Sequence, residues 1–343
     1  MKALIIGGAG FIGCNIGRRL LEQGDEVLVF DNLSRKGTHS NLRWLQSLGP
    51  VRFFEGDIRA SEGLEEVFRT HPDIDVVYHM AAQVAVTTSV TNPREDFEIN
   101  ALGTFNVLEA IRLSKADPIL IFASTNKVYG GMEDVKIIEE DGRYAYRDFP
   151  EGIPEDRLLD FHSPYGCSKG AADQYVRDYT RIYGLKTVTF RQSCIYGYRQ
   201  FGIEDQGWVA WFTIQAVLDR PISIYGDGKQ VRDMLFVEDL VEAYQMAIKA
   251  IETTSGKIYN LGGGPGNKMC LHDLIHTLEG LTSRKLQYAY DDWRPGDQPV
   301  FVCNVDKARQ DFGWEPATPP KEGVTRLFDW VSKNTELFLQ EGL

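Results

Sequence analysis

The chain opens with Met1-Lys-Ala-Leu-Ile-Ile-Gly-Gly-Ala-Gly-Phe-Ile-Gly13, in which a short apolar run leads directly into three spaced glycines. The run at 3–6 predicts a strand that is buried on both faces of a parallel sheet. Gly7, Gly10 and Gly13 predict a tight turn, and the apolar residues that follow at helical spacing predict a helix. The free N–H groups at the start of such a helix would face an anionic pyrophosphate.

An acidic residue follows the next apolar run at the distance expected of a dinucleotide site. Asp31 ends the run at 27–30 and lies eighteen residues after Gly13. This is close to the roughly 20 residues at which a carboxylate can bind the adenosine ribose hydroxyls. Because a carboxylate repels a 2′-phosphate, the pattern favours NAD over NADP. Arg35 and Lys36 follow closely and could pair with such a phosphate. A structural glycine turn beside a surface Asp is the alternative interpretation.

Composition limits the classes of protein to which the chain can belong. Its 343 residues exceed the roughly 250–300 at which single cores stop growing, which predicts a main domain and a smaller one. The net charge of -12 argues against a general nucleic-acid or membrane-surface binder. Five scattered cysteines fit reduced thiols in a cytoplasm better than a disulfide framework or a zinc site. The chain begins directly with a strand, which leaves no room for a secretory signal, and no apolar run is long enough to span a membrane.

Strand-like runs alternate with segments of helical periodicity, which predicts an α/β fold with a Rossmann-type, doubly wound parallel sheet. The predicted strands are 3–6, 27–30, 51–54, 76–79, 119–123, 187–191 and 258–261, and the clearest helices are 97–114, 168–183, 207–218 and 238–251. We expect 1–191 to form an NAD-binding domain, to which 233–263 returns. We expect 192–343 to form mainly a smaller, substrate-binding lobe. The stretch 130–160 is irregular in pattern and predicts a long loop.

Tyr165 and Lys169 carry the strongest chemical signal. Their four-residue spacing places both side chains on one face of a helix. A Tyr hydroxyl in isolation titrates near ~10, too high for a base at neutral pH. A neighbouring ammonium, together with the positive charge of an oxidised nicotinamide, favours the phenolate. Ser124 and Thr125 close the predicted strand at 119–123 and should lie at the same sheet edge. Taken alone, the pair also fits a Tyr and a Lys that merely share an exposed helix face.

Taken together with the further motifs given below, the Tyr165 and Lys169 pair makes the chain resemble a family over nearly its whole length. The family is that of the extended short-chain dehydrogenase/reductases that act on nucleotide-sugars. The motifs are Gly7-Gly-Ala-Gly-Phe-Ile-Gly13, Gly56-Asp-Ile58, His79-Met-Ala-Ala82, Asn100-Ala-Leu-Gly-Thr104, Ser124-Thr-Asn-Lys-Val-Tyr-Gly130, Tyr165 with Lys169, Gly226-Asp-Gly-Lys-Gln-Val-Arg-Asp233 and Arg294-Pro-Gly-Asp297. Their combination makes the resemblance highly specific.

The resemblance implies a role for each site residue. Tyr165 is the general base, Lys169 orients the cofactor ribose and lowers the Tyr pKa, and Thr125 hydrogen-bonds the reacting sugar oxygen. Bidentate Arg side chains suit the substrate pyrophosphate in an acidic protein. The implied NAD contacts are Gly7, Gly10, Phe11, Ile12, Gly13, Asp31, Asn32, Asp57, Ile58, Ala81, Ala82, Asn100, Tyr165 and Lys169. The implied substrate contacts are Ser124, Thr125, Asn126, Gln192, Ser193, Arg199, Gln200, Arg232 and Arg294.

One departure from the family pattern distinguishes between reaction types. Sugar-nucleotide dehydratases of this family carry Asp-Glu where this chain has Asn126 and Lys127. These two residues cannot act as a carboxyl acid/base pair, so dehydration is disfavoured and epimerisation is favoured. The runs at 82–89, 161–170, 191–202 and 204–208 resemble the family members that epimerise a CDP-3,6-dideoxyhexose at C2, and only that resemblance identifies the carbon and the base. A UDP-hexose 4-epimerase and a non-catalytic dinucleotide sensor are the alternatives.

Three further expectations concern partners and metals. The helices at 97–114 and 168–183 resemble those through which family members pair, which predicts a homo-oligomer. His272 and His276 are four residues apart, but without a nearby carboxylate or cysteine pattern they predict surface or packing roles, and we expect no metal site. The resemblance also implies a use in lipopolysaccharide O-antigen biosynthesis.

Overall fold

The computed structural model describes residues 1–294 and 296–343; Pro295, which belongs to the motif at 294–297, lies outside the described residues. The strands are β1 (Lys2–Ile6), β2 (Glu26–Asp31), β3 (Val51–Glu55), β4 (Val76–His79), β5 (Ile119–Thr125), β6 (Ile137–Glu140), β7 (Arg143–Tyr146), β8 (Thr187–Gln192), β9 (Cys194–Tyr196), β10 (Ile222–Tyr225), β11 (Val231–Phe236), β12 (Lys257–Leu261), β13 (Lys268–Cys270), β14 (Tyr288–Asp291) and β15 (Val300–Phe301). The helices are α1 (Phe11–Glu22), α2 (Thr38–Leu48), α3 (Ser61–Thr70), α4 (Val86–Thr91), α5 (Pro93–Phe97), α6 (Gly103–Leu113), α7 (Ser163–Tyr183), α8 (Trp208–Leu218), α9 (Val237–Lys249), α10 (Ile251–Thr254), α11 (Leu271–Thr282), α12 (Asp306–Phe312), α13 (Pro320–Lys333) and α14 (Thr335–Gln340).

Seven parallel strands form the central sheet in the order β3-β2-β1-β4-β5-β8-β12. Alternate residues of β1 belong to different cores: Leu4 and Ile6 pack on one face, and Ala3 and Ile5 on the other. Burial on both faces explains why these strands are continuous apolar runs. The predicted Rossmann-type sheet is confirmed. The strand order changes direction between β1 and β4, and in such sheets this point opens a crevice for a ligand.

The C-terminal part of the chain builds a second layer above the carboxyl ends of these strands. β11 pairs with β9, β13 and β15 in a small sheet, and β10 pairs with β14. The helices α8, α11 and α13 pack together around a separate apolar core that includes Phe212, Leu274 and Val324. Between these segments the chain returns to the central sheet, where α9 packs on α1 and β12 pairs with β8. Among the described residues, no helix is long and apolar enough to cross a membrane.

The stretch 130–160 is not the irregular loop that its sequence predicts. It contains an antiparallel hairpin of β6 and β7, joined at Asp141 and Gly142, whose φ angles are 51° and 74°. Two positive φ values at an Asp-Gly pair are the mark of a tight hairpin turn. The prediction was wrong because exposed residues such as Ile137 and Ile138 break the alternation expected of a strand. The run Glu139-Glu140 is solvent-exposed, as a charged strand edge should be.

The helix predicted at 97–114 begins earlier and is not uniform. α5, a π-helical turn at Glu98–Leu102 and α6 follow one another without a break. A π-helical turn widens the helix by one residue and often marks a functional site. Here it contains Asn100, whose side chain is buried.

A buried ion pair joins α7 to the sheet. Arg191 of β8 forms two hydrogen bonds of 3.0 Å to Asp173 of α7, and the side chains are 3% and 0% exposed. Asp173 also accepts a hydrogen bond of 2.7 Å from the Ser124 hydroxyl at the end of β5. This network fixes the helix that carries Tyr165 and Lys169 against two strands.

We expect Asp173→Ala to lower the free energy of unfolding by about 3–5 kcal/mol, because it leaves the Arg191 charge buried without a partner. Urea denaturation measures this change. The matched control is Lys186→Ala, which breaks the exposed pair of Lys186 with Asp117 and should change stability by less than about 1 kcal/mol. Equal losses of stability in both variants would mean that the buried Asp173–Arg191 pair contributes no more than an exposed pair.

Candidate active site

The glycine turn after β1 is closely packed and leaves a helix N-terminus open. A Cβ at Gly7 would lie 2.5 Å from the Ala81 nitrogen, and one at Gly13 would lie 2.2 Å from the Gly7 oxygen. Only glycine permits this approach. Gly10 is the N-cap of α1, with no side-chain cap and no acidic residue in the first turn. The first N–H groups of the helix, at Phe11 and beyond, therefore lack partners and fit a pyrophosphate.

Asp31 ties the end of β2 to this turn. Its Oδ2 accepts a hydrogen bond of 3.0 Å from the Ala9 N–H, and its Oδ1 accepts one of 2.8 Å from the Leu33 N–H. Burial raises the pKa of this carboxyl, while the two backbone donors lower it. Each oxygen keeps a free lone pair, so the carboxylate can still accept from the hydroxyls of a ribose.

Other residues of the predicted cofactor site lie at the same edge of the sheet. Asn32 follows β2, and its Nδ2 donates to Asp57 after β3 at 2.9 Å. Hydrogen bonds from Arg59 lower the pKa of Asp57 to about 2. Ile58 is buried beside it, and Ala81 and Ala82 follow β4 directly. The donors, the carboxylate of Asp31 and the uncapped helix together fit a dinucleotide.

Lys169 is held inside the protein by the strand next to its helix. Its side chain is 3% exposed, and its Nζ donates a hydrogen bond of 2.6 Å to the carbonyl of Ala123 in β5. The ammonium also lies 4.4 Å from the ring centroid of Phe122. Burial lowers the pKa of Lys169 to about 8, although Asp173 and Asp96 oppose this effect. The ammonium form is therefore lost as the pH rises through about 8.

Tyr165 lies one turn earlier on α7, beside the end of β5. Burial raises the pKa of its hydroxyl to about 12, whereas a hydrogen bond with Thr125 and the charge of Arg35 lower it. The structure thus brings the predicted Tyr165, Thr125 and Lys169 together. It does not show the predicted lowering of the Tyr pKa by Lys169, whose ammonium is bonded to Ala123. Thr125 and Arg35 lower the pKa of Tyr165 only in part, since burial has the larger effect.

Arg35 has a position that sequence patterns did not reveal. It was a possible partner for a 2′-phosphate, but its guanidinium crosses the crevice and hydrogen-bonds the side chain of Gln206. It lies close enough to Tyr165 to act on its pKa. Only the folded chain brings the loop after β2 to the loop before α8, so no local signal could have found this contact.

An open cleft between the two layers is lined by two of the expected substrate contacts, Arg232 and Arg294. Its volume is about 280 Å³, and Arg232, Arg294 and Lys127 are the cations of its lining. Trp208 and Phe212, which the sequence left open as core or ligand contacts, also line it. Three cations in an otherwise acidic protein suit a ligand that carries phosphate groups.

Both arginines already hold acidic partners. Arg232 forms an ion pair of 2.6 Å with Asp297, and Arg294 forms one of 3.1 Å with Asp205. The Arg294 guanidinium also lies 3.7 Å from the ring centroid of Tyr225. Each guanidinium has five N–H donors, so both keep donors for a ligand.

Lys127, which stands where the dehydratase pattern has a carboxyl group, also lines the cleft. Its Nζ donates to the carbonyl of Gly296 at 3.3 Å and to the side chain of Gln298 at 3.4 Å. Burial and the charge of Arg232 lower its pKa to about 8. Asn126 beside it is buried, and its Oδ1 accepts a hydrogen bond of 3.4 Å from Thr125. No carboxyl group stands at either position.

Several predicted contacts have protein partners instead. Ser124 donates to Asp173, Gln192 to Tyr244, Ser193 to Asp233, and Gln200 to the carbonyl of Ile195. These side chains are largely buried behind the cleft surface. None of the four is among the residues that line the cleft, and a contact with substrate stays a prediction for them.

Two predicted contacts do not reach the site as expected. Arg199 turns away from the cleft, and its guanidinium lies 4.3 Å from the ring centroid of Trp44 and 5.6 Å from that of Trp330. Its φ of 65° helps to aim it there. The Asn100 amide donates to the carbonyl of Gln83 and to Asp96, and its oxygen accepts from the Gln83 N–H. Both of its donors are therefore used within the protein.

Comparisons with known proteins agree with this geometry. Residues 3–262 match the NAD dependent epimerase/dehydratase family. The chain belongs to this family, and it is an NAD-dependent nucleotide-sugar epimerase.

The similar proteins include epimerases of two kinds of nucleotide-sugar. The chain is 46% identical to the CDP-paratose 2-epimerase of Salmonella typhi, over 97% of this chain and 99% of that protein. It is similar to the UDP-glucose 4-epimerase of Thermotoga maritima with UDP-glucose, at a TM-score of 0.84 and 31% identity, over 98% and 100% of the two chains. It is also similar to the UDP-glucose 4-epimerase of Thermus thermophilus in complex with NAD. The TM-score is 0.79 and the identity is 32%, over 96% of this chain and 98% of that chain.

We expect Gly10→Ala to weaken NAD binding about tenfold while the protein stays folded, because the added methyl meets only the Gly7 oxygen, at 3.2 Å, but enters the space before the α1 N-terminus. Titration of the cofactor by protein fluorescence measures the affinity. Gly280→Ala in α11 is the control, since a Cβ there meets nothing within 4 Å. Unchanged affinity in Gly10→Ala would remove this turn from the cofactor site.

Proposed function

We propose that this epimerase acts on CDP-paratose and inverts its C2 carbon to give CDP-tyvelose. The observation that carries the reaction type is the meeting of Tyr165, Thr125 and Lys169 at the end of β5, with Asn126 and Lys127 where dehydratases have carboxyl groups. The likeness to CDP-paratose 2-epimerase over nearly the whole of both chains supports the substrate.

The chemistry follows from the protonation of the buried side chains. NAD, when bound, would supply the acceptor for a hydride from the sugar carbon and the donor that returns it to the opposite face. Tyr165 takes the proton of the sugar hydroxyl as that C–O bond becomes a carbonyl, and returns it in the second half of the reaction. Thr125 can hydrogen-bond both the Tyr hydroxyl and the sugar oxygen. Lys169 keeps its charge below a pH of about 8.

The cleft explains how one active site can reach both faces of the sugar. Arg232, Arg294 and Lys127 line the cleft and can hold the pyrophosphate, and Lys127 follows the end of β5, where Thr125 and Tyr165 would meet the sugar. The sugar must turn about its bond to the phosphate between the two hydride transfers. A wide cleft with fixed cations leaves room for this rotation, since only the phosphates are strongly bound.

A UDP-hexose 4-epimerase is the second candidate. It is favoured by the structural likeness to two UDP-glucose 4-epimerases. It would use the same three residues at the end of β5, and only the placement of the sugar would differ. Assays of the purified protein with CDP-paratose and with UDP-glucose distinguish the two, and turnover of UDP-glucose alone would reject our choice.

We expect CDP-paratose incubated with the protein in deuterated water to invert at C2 without taking up deuterium, since the same hydride returns to the sugar. NMR of the sugar nucleotide measures both changes. Tyr165→Phe should lower the rate about 10²–10⁴-fold, and it serves as the control for contaminating activity. Deuterium at C2 would mean that a proton is abstracted from carbon, and the mechanism would be wrong.

We also propose that the protein forms a homo-oligomer through α6 and α7. Apolar side chains on these helices are exposed, including Leu113, Tyr175 and Ile182 at 68%, 50% and 65%. Phe105 and Tyr175 contact each other across the two helices, with ring centroids 6.0 Å apart. Such a continuous apolar surface is typical of a protein interface.

The free thiols of all five cysteines support the cytoplasm as the location of this protein, where its product would serve lipopolysaccharide O-antigen synthesis.

We expect Tyr175→Glu to convert the oligomer to a monomer, because it places a charge in the centre of this apolar surface. Light scattering after size-exclusion chromatography measures the mass. Leu158→Glu is the matched control, since Leu158 is 80% exposed but lies outside the two helices. A wild-type monomer, or an unchanged mass in Tyr175→Glu, would reject this interface.

A further inference from the structure

A segment of the second layer reaches from the cofactor crevice to the substrate cleft. This strap consists of residues 199–206, between β9 and α8. Its first part is held firmly, because the guanidinium of Arg199 contacts the rings of Trp44 and Trp330. Phe201 is buried as well, at 9% exposed. The base of the strap therefore belongs to the packed interior of the protein.

The tip of the strap is a tight turn at the surface. Ile203 and Gln206 exchange two backbone hydrogen bonds of 3.0 Å and 2.9 Å, which makes Glu204 and Asp205 its central residues. These two residues are exposed, and both line the cleft. Because they bury little surface, the position of the tip depends mainly on its polar contacts.

One set of polar contacts joins the tip to an arginine of the substrate cleft. The Nη2 of Arg294 donates a hydrogen bond of 3.0 Å to the carbonyl of Glu204, and it forms the ion pair of 3.1 Å with Asp205. The same guanidinium lies on the ring of Tyr225, whose hydroxyl donates a hydrogen bond of 3.1 Å to the Glu204 carboxylate. The tip is thus attached to a side chain that is proposed to bind pyrophosphate.

The other polar contact joins the tip to a loop of the cofactor site. The side chain of Gln206 accepts a hydrogen bond from the guanidinium of Arg35. Arg35 lies four residues after Asp31, and its carbonyl accepts hydrogen bonds of 3.3 Å and 2.6 Å from the N–H and the hydroxyl of Thr38. Asp31 in turn accepts a hydrogen bond from the Leu33 N–H. Because this loop is internally bonded, a restraint on Arg35 acts on the whole of it.

We propose that the strap couples the two ligand sites, so that a pyrophosphate bound to Arg294 makes the protein retain NAD. The anion fixes Arg294, Arg294 fixes the tip, and Gln206 at the tip fixes Arg35 across the cofactor crevice. The ligand class is a nucleoside diphosphate, with or without its sugar. The inference rests on the proposed roles of Arg294 and Asp31, but not on the identity of the base.

The contacts of Arg294 determine the direction of this effect. Its two contacts with the tip both use Nη2, whereas a guanidinium has five N–H donors. A pyrophosphate can therefore bind the remaining donors while the tip stays attached. Contacts between exposed side chains hold the tip only weakly when no ligand restrains the arginine. A ligand that restrains the arginine shifts the population toward the closed arrangement.

Retention of the cofactor has a clear use in an epimerase. After the first half of the reaction the sugar is a ketone, which only the returning hydride can reduce. Loss of the cofactor at that stage would leave the ketone unreduced and the enzyme inactive. A strap that stays closed while the nucleotide-sugar is bound prevents this loss, and it is free to open when the product leaves.

The test measures the affinity for NAD with and without a nucleoside diphosphate. NAD is titrated by protein fluorescence, first alone and then with saturating CDP or UDP. Gln206→Ala and Arg35→Ala each remove the hydrogen bond between the tip and the cofactor loop. Lys36→Ala is the matched control, because it removes the same charge from the same loop at an exposed side chain that takes no part in that bond.

In the wild type, CDP should lower the Kd of NAD about tenfold. In Gln206→Ala and Arg35→Ala this effect should fall below about twofold, whereas Lys36→Ala should keep the wild-type ratio. CDP alone should bind Arg35→Ala as tightly as the wild type, since Arg35 is not among the described residues that line the cleft. A general loss of structure would instead weaken the binding of both ligands.

A second measurement follows the release of NAD. Protein loaded with isotope-labelled NAD is mixed with an excess of unlabelled NAD, and the loss of label is timed. CDP should slow this loss about tenfold in the wild type and in Lys36→Ala, and by less than about twofold in Gln206→Ala and Arg35→Ala.

The proposal is overturned if CDP or UDP binds but neither changes the affinity for NAD, or if folded Gln206→Ala and Arg35→Ala keep the wild-type ratio. Circular dichroism checks the fold, and either variant alone decides the question if the other does not fold. An effect of UDP without an effect of CDP would support the strap and would reject CDP-paratose as the substrate. The strap and the choice of substrate are therefore tested separately.

Discussion

The placement of the catalytic side chains depends on a single buried ion pair. Asp173 lies one turn beyond Lys169 on α7, and it binds Arg191 of β8 and Ser124 of β5. A buried carboxylate needs an opposite charge and several donors, and the fork of an Arg side chain supplies both. Because the two strands end at the same edge of the sheet, the pair fixes the distance of Tyr165 from Thr125. The packing of α7 against the sheet would otherwise allow the helix to slide along its axis.

The sequence predicts the central sheet well because its cause is local. Each inner strand is covered on both faces, so its residues form a short apolar run, and Leu4 and Ile5 illustrate the two faces in adjacent positions. Glycine spacing predicts the turn before α1 for an equally local reason, namely that no other residue permits the close approach at Gly7. Helical periodicity likewise brings Tyr165 and Lys169 to one face of α7.

The contacts that the sequence did not predict are all between distant segments. Arg199 is close in sequence to residues of the cleft wall, but Trp44 and Trp330 from two other elements draw its guanidinium away. Arg35 reaches Gln206 across the crevice, although the two residues are 171 positions apart in the chain. Asp96 is 0% exposed, but Glu95 precedes it and Glu98 follows closely, and nothing in this run of acidic residues distinguishes the member that points inward. Side-chain direction at such positions is decided by the assembled fold.

The paired arginines of the cleft have a consequence for selectivity. Asp297 and Asp205 occupy Arg232 and Arg294 with carboxylates of the protein itself. An incoming phosphate would meet guanidinium groups whose charge is partly neutralised by these carboxylates, although each group keeps N–H donors for a ligand. In the role proposed for the two arginines, a small anion that reaches only one of them gains little. A pyrophosphate that engages both arginines, and is attached to a base and a sugar, gains from every contact at once. The acidic partners would therefore disfavour the many small phosphates of the cell.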